Sequence, residues 1–473
     1  MLPDSWFGAW AGLKACVLGL GKSGFSVADT LIELGVSVDV YAAKVEPELA
    51  DLLDVIGANL VQSDRIDDLD LAGIDFAVVS PGFAPAHPMV QALVQSGIRI
   101  TTDVELAHLV GDKVQRASWI VITGTNGKTT TTELTTHMLQ ANGLRARACG
   151  NIGNPILDAV RDPEGFDFLV VELSSFQLHY LGEISPKSAA FLNLAPDHYD
   201  WHGDAESYFA AKSKVFENTE LAIVYNAQDS QTLAAAESAD VIEGCRGIGF
   251  TLEVPTVSQV GFVEEFLVDR AFIEDRYSTG LELATFDDID QIGIRSDHML
   301  ANIAAASALA RSVGVSAESI REAIRSFKTA PHRIQRVAEH DGVLFVDDSK
   351  ATNAHAADAS LSSFESVVWI VGGLLKGVDL RPLIQKHKHR LRGAVLIGAD
   401  TAELEGLFSD LCPNLEISVM TGKAMDLVVK SARQLAEAGD VVLLAPAAAS
   451  MDQYKDYQDR GNQFQAAVRT GAR

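Results

Sequence analysis

A glycine-rich segment with one lysine, Thr123-Gly124-Thr125-Asn126-Gly127-Lys128-Thr129-Thr130, is the strongest chemical signal in this sequence of 473 residues. It directly follows the apolar run Trp119–Thr123, which is typical of a buried strand, and it precedes a helix-like stretch. This order places backbone N–H groups and a helix N-terminus around a phosphate, with the Lys128 ammonium as an added charge. The Thr129 hydroxyl is then placed to bind Mg²⁺. Ile122 stands where the usual P-loop has a glycine, so a plain strand-to-helix turn is the alternative.

A second glycine loop, Gly19-Leu20-Gly21-Lys22-Ser23-Gly24, follows the first strand-like run and matches the pattern GxGxxG. Dinucleotide-binding loops of this kind also have an acidic residue at the tip of the next strand, which binds the ribose. Here that strand ends Val40-Tyr41-Ala42-Ala43-Lys44, without a carboxylate, which disfavours NAD and FAD. A diphosphate on the helix N-terminus after Gly21, helped by Lys22 or Lys44, is one interpretation. A tight turn with packing glycines is the other.

Three further side chains stand where α/β proteins bind ligands. Glu172 ends the apolar run Phe168–Glu172, and a carboxylate at that edge of a parallel sheet can hold Mg²⁺ beside phosphates. A structural role in the following turn is the alternative for Glu172. His198 follows another predicted strand, although a lone histidine is more often an ordinary polar or core residue than a ligand. Lys212, taken by itself, is an ordinary helix lysine.

The order of apolar strand, glycine-bearing turn and amphipathic helix recurs in three segments, which predicts parallel, doubly wound sheets. We therefore expect an α/β protein with a Rossmann-like domain at 1–112, a central P-loop-type domain at 113–329 and a Rossmann-like domain at 330–473. The acidic stretch 251–290 is expected to be a β-hairpin appendage. The predicted strands are Ala15–Gly19, Val36–Val40, Phe76–Ser80, Trp119–Thr123, Phe168–Glu172, Ala189–Asn193, Val343–Asp347, Val367–Gly372, Gly393–Gly398 and Asp440–Ala445.

Composition excludes several classes of protein. The formal net charge of −26 argues against general binding of nucleic acid or anionic membranes. The 4 cysteines are far apart and form no CxxC pair, which favours a reducing compartment over a structural zinc site. No apolar run of membrane-spanning length and no signal-peptide pattern is present in the sequence. We therefore expect a cytoplasmic protein.

Taken together, the motifs resemble the Mur ligase family of bacterial cell-wall synthesis. The resemblance runs in order along essentially the whole chain. Its motifs are the P-loop-like segment, Gly150–Gly153, Val171–Leu178, Asp197-His198, Ala210–Lys212, His298 with Asn302, Pro331–Arg333, Asp347–Asn353, Gly372-Gly373, Pro446–Tyr454 and Arg460-Gly461. Within the family, the stretches ELSSFQL and DDSKATN are most similar to those of members that add D-glutamate.

The resemblance implies an ATP-dependent ligase that joins D-glutamate to UDP-N-acetylmuramoyl-L-alanine through an acyl phosphate. It implies ATP, two Mg²⁺ ions and CO₂ carried as a carbamate on Lys212, and a protein that acts as a monomer. The implied metal ligands are Thr129, Glu172, His198 and carbamylated Lys212. The implied ATP-binding residues are Gly124, Thr125, Asn126, Gly127, Lys128, Thr129, Thr130, His298, Asn302, Arg333 and Asp348. The implied UDP-substrate residues are Gly19, Gly21, Lys22, Ser23, Gly82 and Asn151, and those for D-glutamate are Lys350, Thr352, Lys376, Ser450 and Tyr457.

The sequence departs from the family pattern at three positions. Met299 follows the helix histidine where the family often has Asn, Ala42 stands where some relatives have an acid, and Tyr457 replaces a Phe. The alternatives left open are a sister Mur-type, folylpolyglutamate-type or cyanophycin-type ligase, and a catalytically inactive ligand-binding relative. The Asp-Asn-Pro-Arg motif that reads diaminopimelate is absent from the sequence, and the presence of Lys128, Glu172, His198 and Lys212 argues against an inactive copy.

Overall fold

The computed structural model describes residues 2–329, 331–375 and 377–470. The chain forms two compact units. The first consists of Met1–Thr285 and Asn302–Ile324, and the second of Phe286–Ala301 and Arg325–Arg473. Within the described residues, the strands form three sheets, two in the first unit and one in the second.

The first sheet is a parallel sheet with helices in its crossovers, because each apolar strand is followed by an amphipathic helix. Its strand order is β3-β2-β1-β4-β5. Its elements are β1 (Lys14–Leu18), α1 (Lys22–Glu33), β2 (Ser37–Tyr41), α2 (Pro47–Ile56), β3 (Asn59–Val61), β4 (Phe76–Val79), α3 (Pro88–Gln95), β5 (Arg99–Thr101) and α4 (Asp103–Leu109).

The second sheet also belongs to the first unit. Its strand order is β14-β13-β12-β11-β10-β9-β6-β8-β7. Its elements begin with β6 (Ser118–Thr123), α5 (Lys128–Ala141), β7 (Ala146–Gly150), α6 (Ile156–Val160), β8 (Phe168–Glu172), α7 (Ser175–Tyr180), β9 (Ser188–Phe191), α8 (Tyr199–His202) and α9 (Ala205–Ser213). They continue with β10 (Ala222–Asn226), α10 (Ser230–Glu237), β11 (Arg246–Phe250), β12 (Gln259–Val263), β13 (Phe266–Asp269) and β14 (Leu281–Thr285). The next elements along the chain are α11 (Phe286–Ile289), which belongs to the second unit, α12 (Asp297–Ser312), which belongs to the first unit from Asn302 onward, and α13 (Ala317–Ser326), which belongs to the first unit as far as Ile324.

The β-hairpin predicted within 251–290 is present, but it is part of the central sheet and not an appendage to it. Strands β12 and β13 do form an antiparallel hairpin, but β12 also pairs in parallel with β11, through Gly249–Gln259 and Phe250–Val260. The hairpin and β14 therefore extend the central sheet, because β11 offers an open edge on which another strand can form backbone hydrogen bonds.

The third sheet has the order β15-β16-β20-β17-β18-β19, parallel except for β15 at one edge. Its elements are β15 (Gln335–His340), β16 (Val343–Asp347), α14 (Ala354–Ser362), β17 (Val367–Gly372), α15 (Arg381–His387), β18 (Leu391–Ile397), α16 (Ala402–Leu411), β19 (Glu416–Val419), α17 (Met425–Leu435), β20 (Val441–Leu444) and α18 (Tyr457–Thr470). Buried side chains line both of its faces. The three-domain α/β fold class is confirmed, whereas the boundaries at 112 and 329 stay a prediction.

Among the described residues, no helix has both the length and the apolar composition needed to cross a bilayer.

Candidate functional site

The glycine-rich loop connects β6 to α5, as its position between an apolar strand and a polar helix start predicts. Gly124 and Gly127 have φ angles of 159° and 82°, a region that side chains with a β-carbon rarely adopt. Gly127 is also the N-cap residue of α5. Because a glycine has no side chain, it cannot cap the first-turn N–H groups, and these groups can instead bind an anion.

The backbone of this loop is fixed by residues that the sequence motifs did not identify as functional. The side chain of Asn193 accepts a hydrogen bond from Asn126 N at 2.9 Å and donates one to Asn126 O at 3.1 Å. The Thr125 hydroxyl lies 3.1 Å from the Tyr208 hydroxyl. Asn193 follows β9 at the carboxyl edge of the sheet, and this position alone could have indicated a functional residue.

Two lysines meet at the start of the loop. Lys128 Nζ donates to the carbonyl oxygens of Gly124 at 2.9 Å and Thr125 at 3.0 Å. Lys212 Nζ, from α9, donates to the same Gly124 oxygen at 2.9 Å and to Thr123 Oγ1 at 3.3 Å. The structure therefore brings Lys212, predicted from the family resemblance, next to the phosphate-binding lysine predicted from the motif.

Lys212 is not an ordinary helix lysine, because its side chain is only 2% exposed. Burial lowers its pKa well below the usual value, and the nearby Lys128 charge lowers it further. Asp197 and Glu172 act in the opposite direction. An amine in this environment loses its proton more readily than a solvated lysine.

Glu172 is buried at the end of β8, and only one of its two carboxylate oxygens accepts a hydrogen bond from a described residue. Its Oε1 accepts a hydrogen bond from Asn151 Nδ2 at 2.9 Å. Its Oε2 has no hydrogen-bond partner among the described residues, although it is buried. An unsatisfied buried carboxylate oxygen is costly, and a divalent cation would compensate it. Glu172 therefore fits the metal-binding role, with Asn151 orienting the carboxylate.

The turn after Glu172 does not use that side chain as its cap. Helix α7 has a capping box in which Ser174 Oγ accepts from Gln177 N at 3.2 Å. In the same box, Gln177 Oε1 accepts from Ser174 N at 3.0 Å. Because Ser174 and Gln177 cap α7, the Glu172 side chain is not needed as a cap. This argues against a purely structural role for Glu172 in the turn.

His198 lies at the N-cap of α8 with a φ angle of 53°, in the left-handed region. Its Nε2 is 3.5 Å from Asp197 Oδ2, and its ring lies 4.8 Å from the ring of Phe176 in α7. No group of three His, Cys, Asp or Glu side chains in metal-binding proximity occurs within the described residues. A site that includes Glu172 and His198 therefore needs other ligands, such as a hydroxyl or a modified lysine.

Helix α12 places Asn302 against the glycine-rich loop. The Thr131 hydroxyl donates to Asn302 Oδ1 at 3.3 Å, and a β-carbon at Gly127 would overlap the Asn302 side chain. His298 belongs to the second unit, where its ring lies 6.0 Å from that of His355. Burial lowers the pKa of His298, which favours the neutral ring.

The first glycine loop shows two different uses of glycine. Gly19 has a φ angle of 100°, and a β-carbon there would lie 2.8 Å from Ser80 Oγ, so this glycine serves the packing of the loop. Gly21 is the N-cap of α1, and a β-carbon there would meet no atom within 4 Å. Lys22 and Ser23 are the first two residues of α1, and Gly82 lies in the loop after β4. The packing alternative therefore holds for Gly19, and Gly21 faces open space.

Helix α7 also joins the two sheets of the first unit. The Tyr180 hydroxyl at its end donates to the carbonyl oxygen of Phe83, in the loop after β4, at 3.1 Å. Two residues later, Gly182 lies so close to the buried carboxylate of Glu105 that a β-carbon there would overlap it. Glu105 is held in turn by Arg99 at 2.5 Å and Thr101 at 2.6 Å. The helix that starts beside Glu172 thus ends against the loop that carries Gly82.

In the second unit, the loops after β16 and β20 carry three of the predicted amino-acid-binding residues, Lys350, Thr352 and Ser450, and Tyr457 is the first residue of α18. These strands are neighbours in the sheet, so their carboxyl ends meet at one edge. Lys350 Nζ lies 4.0 Å from the centre of the Tyr457 ring, and Ser450 is buried. Thr352 N donates to Lys350 O at 2.8 Å. Lys376 lies outside the described residues.

Asp348 lies in the same loop and is buried. Burial raises its pKa to about 6, although hydrogen bonds from Ser360 and Ile334 N and the charge of Arg333 oppose this effect. The Ser360 hydroxyl and Ile334 N both donate to the carboxylate. Arg333 and Asp348 are thus near enough to interact electrostatically.

Three family models match the chain and together cover more than half of it. They are the Mur ligase MurD-like N-terminal domain at residues 13–102, the Mur ligase middle domain at 122–310 and the Mur ligase glutamate ligase domain at 332–448. A curated relative, the UDP-N-acetylmuramoylalanine–D-glutamate ligase of Leifsonia xyli subsp. xyli, is 51% identical over 98% of this chain and 94% of its own length. The chain belongs to the Mur ligase family.

Other relatives of this Mur ligase agree with that assignment. The UDP-N-acetylmuramoylalanine–D-glutamate ligase of Streptomyces coelicolor is 45% identical over 97% of this chain and 98% of its own length. Among solved structures, the UDP-N-acetylmuramate–alanine ligase of Thermotoga maritima has a TM-score of 0.57 at 17% identity, covering 97% of this chain and 100% of its own. At that identity the structural likeness shows the shared fold only.

Proposed function

We propose that this Mur ligase joins D-glutamate to UDP-N-acetylmuramoyl-L-alanine at the expense of ATP, in the cytoplasmic synthesis of peptidoglycan precursors. One observation carries the proposal: relatives named for this reaction match the chain from end to end, at 51% identity in the Leifsonia case. The side chains proposed to act on ATP, Lys128, Glu172 and Lys212, all belong to the first unit. Lys128 and Lys212 donate to the same carbonyl oxygen, and both Glu172 and Lys212 are buried.

The reaction forms one amide bond in two steps. The L-alanyl carboxylate attacks the γ-phosphorus of ATP, the bond to the β-phosphate oxygen breaks, and ADP leaves. The amine of D-glutamate then attacks the acyl carbon, loses a proton, and expels inorganic phosphate. Lys128 would neutralise charge on the transferring phosphoryl group, and the N-terminus of α5 would bind phosphate oxygens.

The residues that would hold magnesium are Thr129, Glu172, His198 and Lys212 in a modified form. Bound magnesium would supply charge neutralisation and orientation of the phosphate oxygens. The buried, unpartnered Oε2 of Glu172 supports this assignment, because it is a hard oxygen donor without another partner among the described residues. Asn151 would hold Oε1 and leave Oε2 for the cation.

The modification that we propose for Lys212 is a carbamate. A neutral amine adds to CO₂ with loss of a proton, which converts a cation into an anionic oxygen donor. Two properties of Lys212 support it: burial lowers the pKa of the amine, and Lys128 repels a second positive charge. A carbamate there would relieve that repulsion, since Lys128 would then face a negative group.

The second unit would bind the amino acid. Lys350, Thr352, Lys376, Ser450 and Tyr457 are the proposed D-glutamate residues. Two cationic side chains suit a substrate with two carboxylates, because charge-assisted hydrogen bonds are stronger than neutral ones. The UDP end would lie at the loop that carries Gly19 and Gly21, at the start of α1 with Lys22 and Ser23, and at the loop that carries Gly82. The adenine contacts would come from His298 and Asn302. Arg333 and Asp348 are further proposed nucleotide-binding residues.

The test is an amino-acid panel with the purified protein, ATP, Mg²⁺ and UDP-N-acetylmuramoyl-L-alanine. Phosphate release and product mass are measured with D-glutamate, L-glutamate, L-alanine, diaminopimelate and no amino acid. We expect release and a product only with D-glutamate. Activity with UDP-N-acetylmuramate and L-alanine would instead identify a sister ligase. No release under any condition would identify an inactive relative.

A further inference from the structure

The guanidinium of Arg460, in α18, is a fully buried charge with 0% exposure. Its Nε donates to Ser349 Oγ at 3.0 Å, its Nη2 to Ser349 O at 2.9 Å and its Nη1 to Ala448 O at 3.2 Å. All three acceptors are uncharged. Burial lowers the pKa of Arg460 to about 10, so the group stays protonated at neutral pH. A buried cation is expensive, and a site that keeps one needs a reason beyond packing.

The acceptors of Arg460 lie in two loops that carry proposed substrate residues. Ser349 directly precedes Lys350, and Ala448 lies two residues before Ser450. The loops are also joined by Ala447 N, which donates to Ala351 O at 2.9 Å. Arg460 therefore fixes the distance between the loop after β16 and the loop after β20.

The same contacts reach a third element. Ser349 Oγ accepts from Arg460 and donates to the carbonyl oxygen of Tyr457 at 2.7 Å. Tyr457 is the first residue of α18, and its ring lies under the Lys350 ammonium. Lys350, Ser450 and Tyr457 are thus each attached, through one or two residues, to the Ser349–Arg460 pair.

We propose that Arg460 is a positioning residue of the amino-acid-binding site, which aligns Lys350, Ser450 and Tyr457 through Ser349 and Ala448. This inference rests on the proposed function and concerns the same site. The planar fork of arginine is needed, because it donates to a hydroxyl and two carbonyls at once.

The experiment compares steady-state KM values for the three substrates in Ser349→Ala, Ser349→Thr, Arg460→Lys and Arg469→Lys. We expect Ser349→Ala and Arg460→Lys to raise KM for D-glutamate by about 5- to 10-fold, the effect of one lost hydrogen bond or slightly more. KM for ATP and for the UDP substrate should change less than about twofold. Ser349→Thr keeps the hydroxyl and should restore KM. Arg469 is an exposed arginine of the same helix, so its variant should behave as wild type.

Thermal unfolding of each variant is measured together with the KM values, to show that the variant is folded. If Arg460→Lys does not fold, the KM for D-glutamate of Ser349→Ala tests the proposal. The inference is overturned if folded Ser349→Ala leaves KM for D-glutamate unchanged, or if all three KM values rise together. A wild-type enzyme that does not use D-glutamate at all would refute the proposed function instead. The wild-type panel therefore separates the two failures.

Discussion

Lys128 and Lys212 donate to one and the same carbonyl oxygen, that of Gly124, each at 2.9 Å. Two ammonium groups on one acceptor repel each other, and the buried one has the weaker hold on its proton. Burial is the main cause of the lowered pKa of Lys212, and the charge of Lys128 lowers it further. This difference supports our proposal that Lys212, in α9, is the modified lysine and that Lys128, in the glycine-rich loop, keeps its positive charge.

Lys212→Ala should lose most ligase activity and keep its fold. The substitution removes the carbamate that we propose as an oxygen donor to magnesium. Acetate or formate should restore part of the activity by placing a carboxylate in the vacated space. Lys212→Arg should respond less, since a guanidinium fills that space and stays cationic. Phosphate release with and without acid is the measurement.

Lys214→Ala is the matched control for Lys212→Ala, because Lys214 is a nearby lysine whose Nζ donates to His179 O at 3.0 Å. It should retain activity. A fully active Lys212→Ala enzyme in bicarbonate-free buffer would contradict the carbamate role.

Lys128→Ala should reduce phosphate release by about 10²- to 10³-fold, the usual effect of removing one group that stabilises transition-state charge. Binding of UDP-N-acetylmuramoyl-L-alanine should persist in calorimetry, because its proposed site lies on the first sheet. Turnover near the wild-type rate would show that the ATP site has been assigned to the wrong loop.

Replacing Gly21 with valine should weaken binding of the UDP substrate and leave ATP binding nearly unchanged. The fold should tolerate the change, because Gly21 has a φ angle of −109° and a β-carbon there meets no atom within 4 Å. The new side chain would then occupy only the space in front of α1 that a diphosphate needs. Calorimetric titration with each substrate checks this, and an equal loss of ATP affinity would count against separate sites.

Acid should destabilise the first unit partly through His108. Burial, with a smaller effect of Arg116, lowers the pKa of His108 to about 4 from an ordinary value of 6.5. Between these values the unfolded chain binds a proton that the folded chain does not, so the free energy of unfolding falls as the pH falls from 6.5 to 4. His108→Phe, which keeps a ring beside Trp119, should lose less stability over that window in urea denaturation. Equal losses in the variant and wild type would exclude this histidine as a source.

The sequence predicted several strands of the site well because they are short, continuous apolar runs. Strands Phe168–Glu172, Val343–Asp347 and Val367–Gly372 have the predicted bounds. The stretch after Thr251 was harder to place, because its edge pairing depends on β11, which carries two glycines and has little apolar pattern. Pairing between distant segments leaves no local mark in the sequence.

Side chains that act through other side chains were also missed. Asn193 and Tyr208 fix the glycine-rich loop, and Arg460 was noted only as part of a motif. Their roles depend on which loops lie side by side, and an isolated sequence does not contain that information. Lys212 was found only through the family resemblance, since its burial follows from the packing of α9.

The contacts between the first two sheets limit how freely the first domain can be exchanged among relatives. Arg161, the residue that follows α6, forms ion pairs with Asp29 at 2.7 Å and Glu33 at 2.8 Å in α1, and Gly182 leaves room for Glu105. These partners lie on opposite sides of residue 112. A chimera that takes residues 1–112 from another ligase must therefore keep both partners of each contact. A substitution at one partner during evolution requires a compensating substitution at the other.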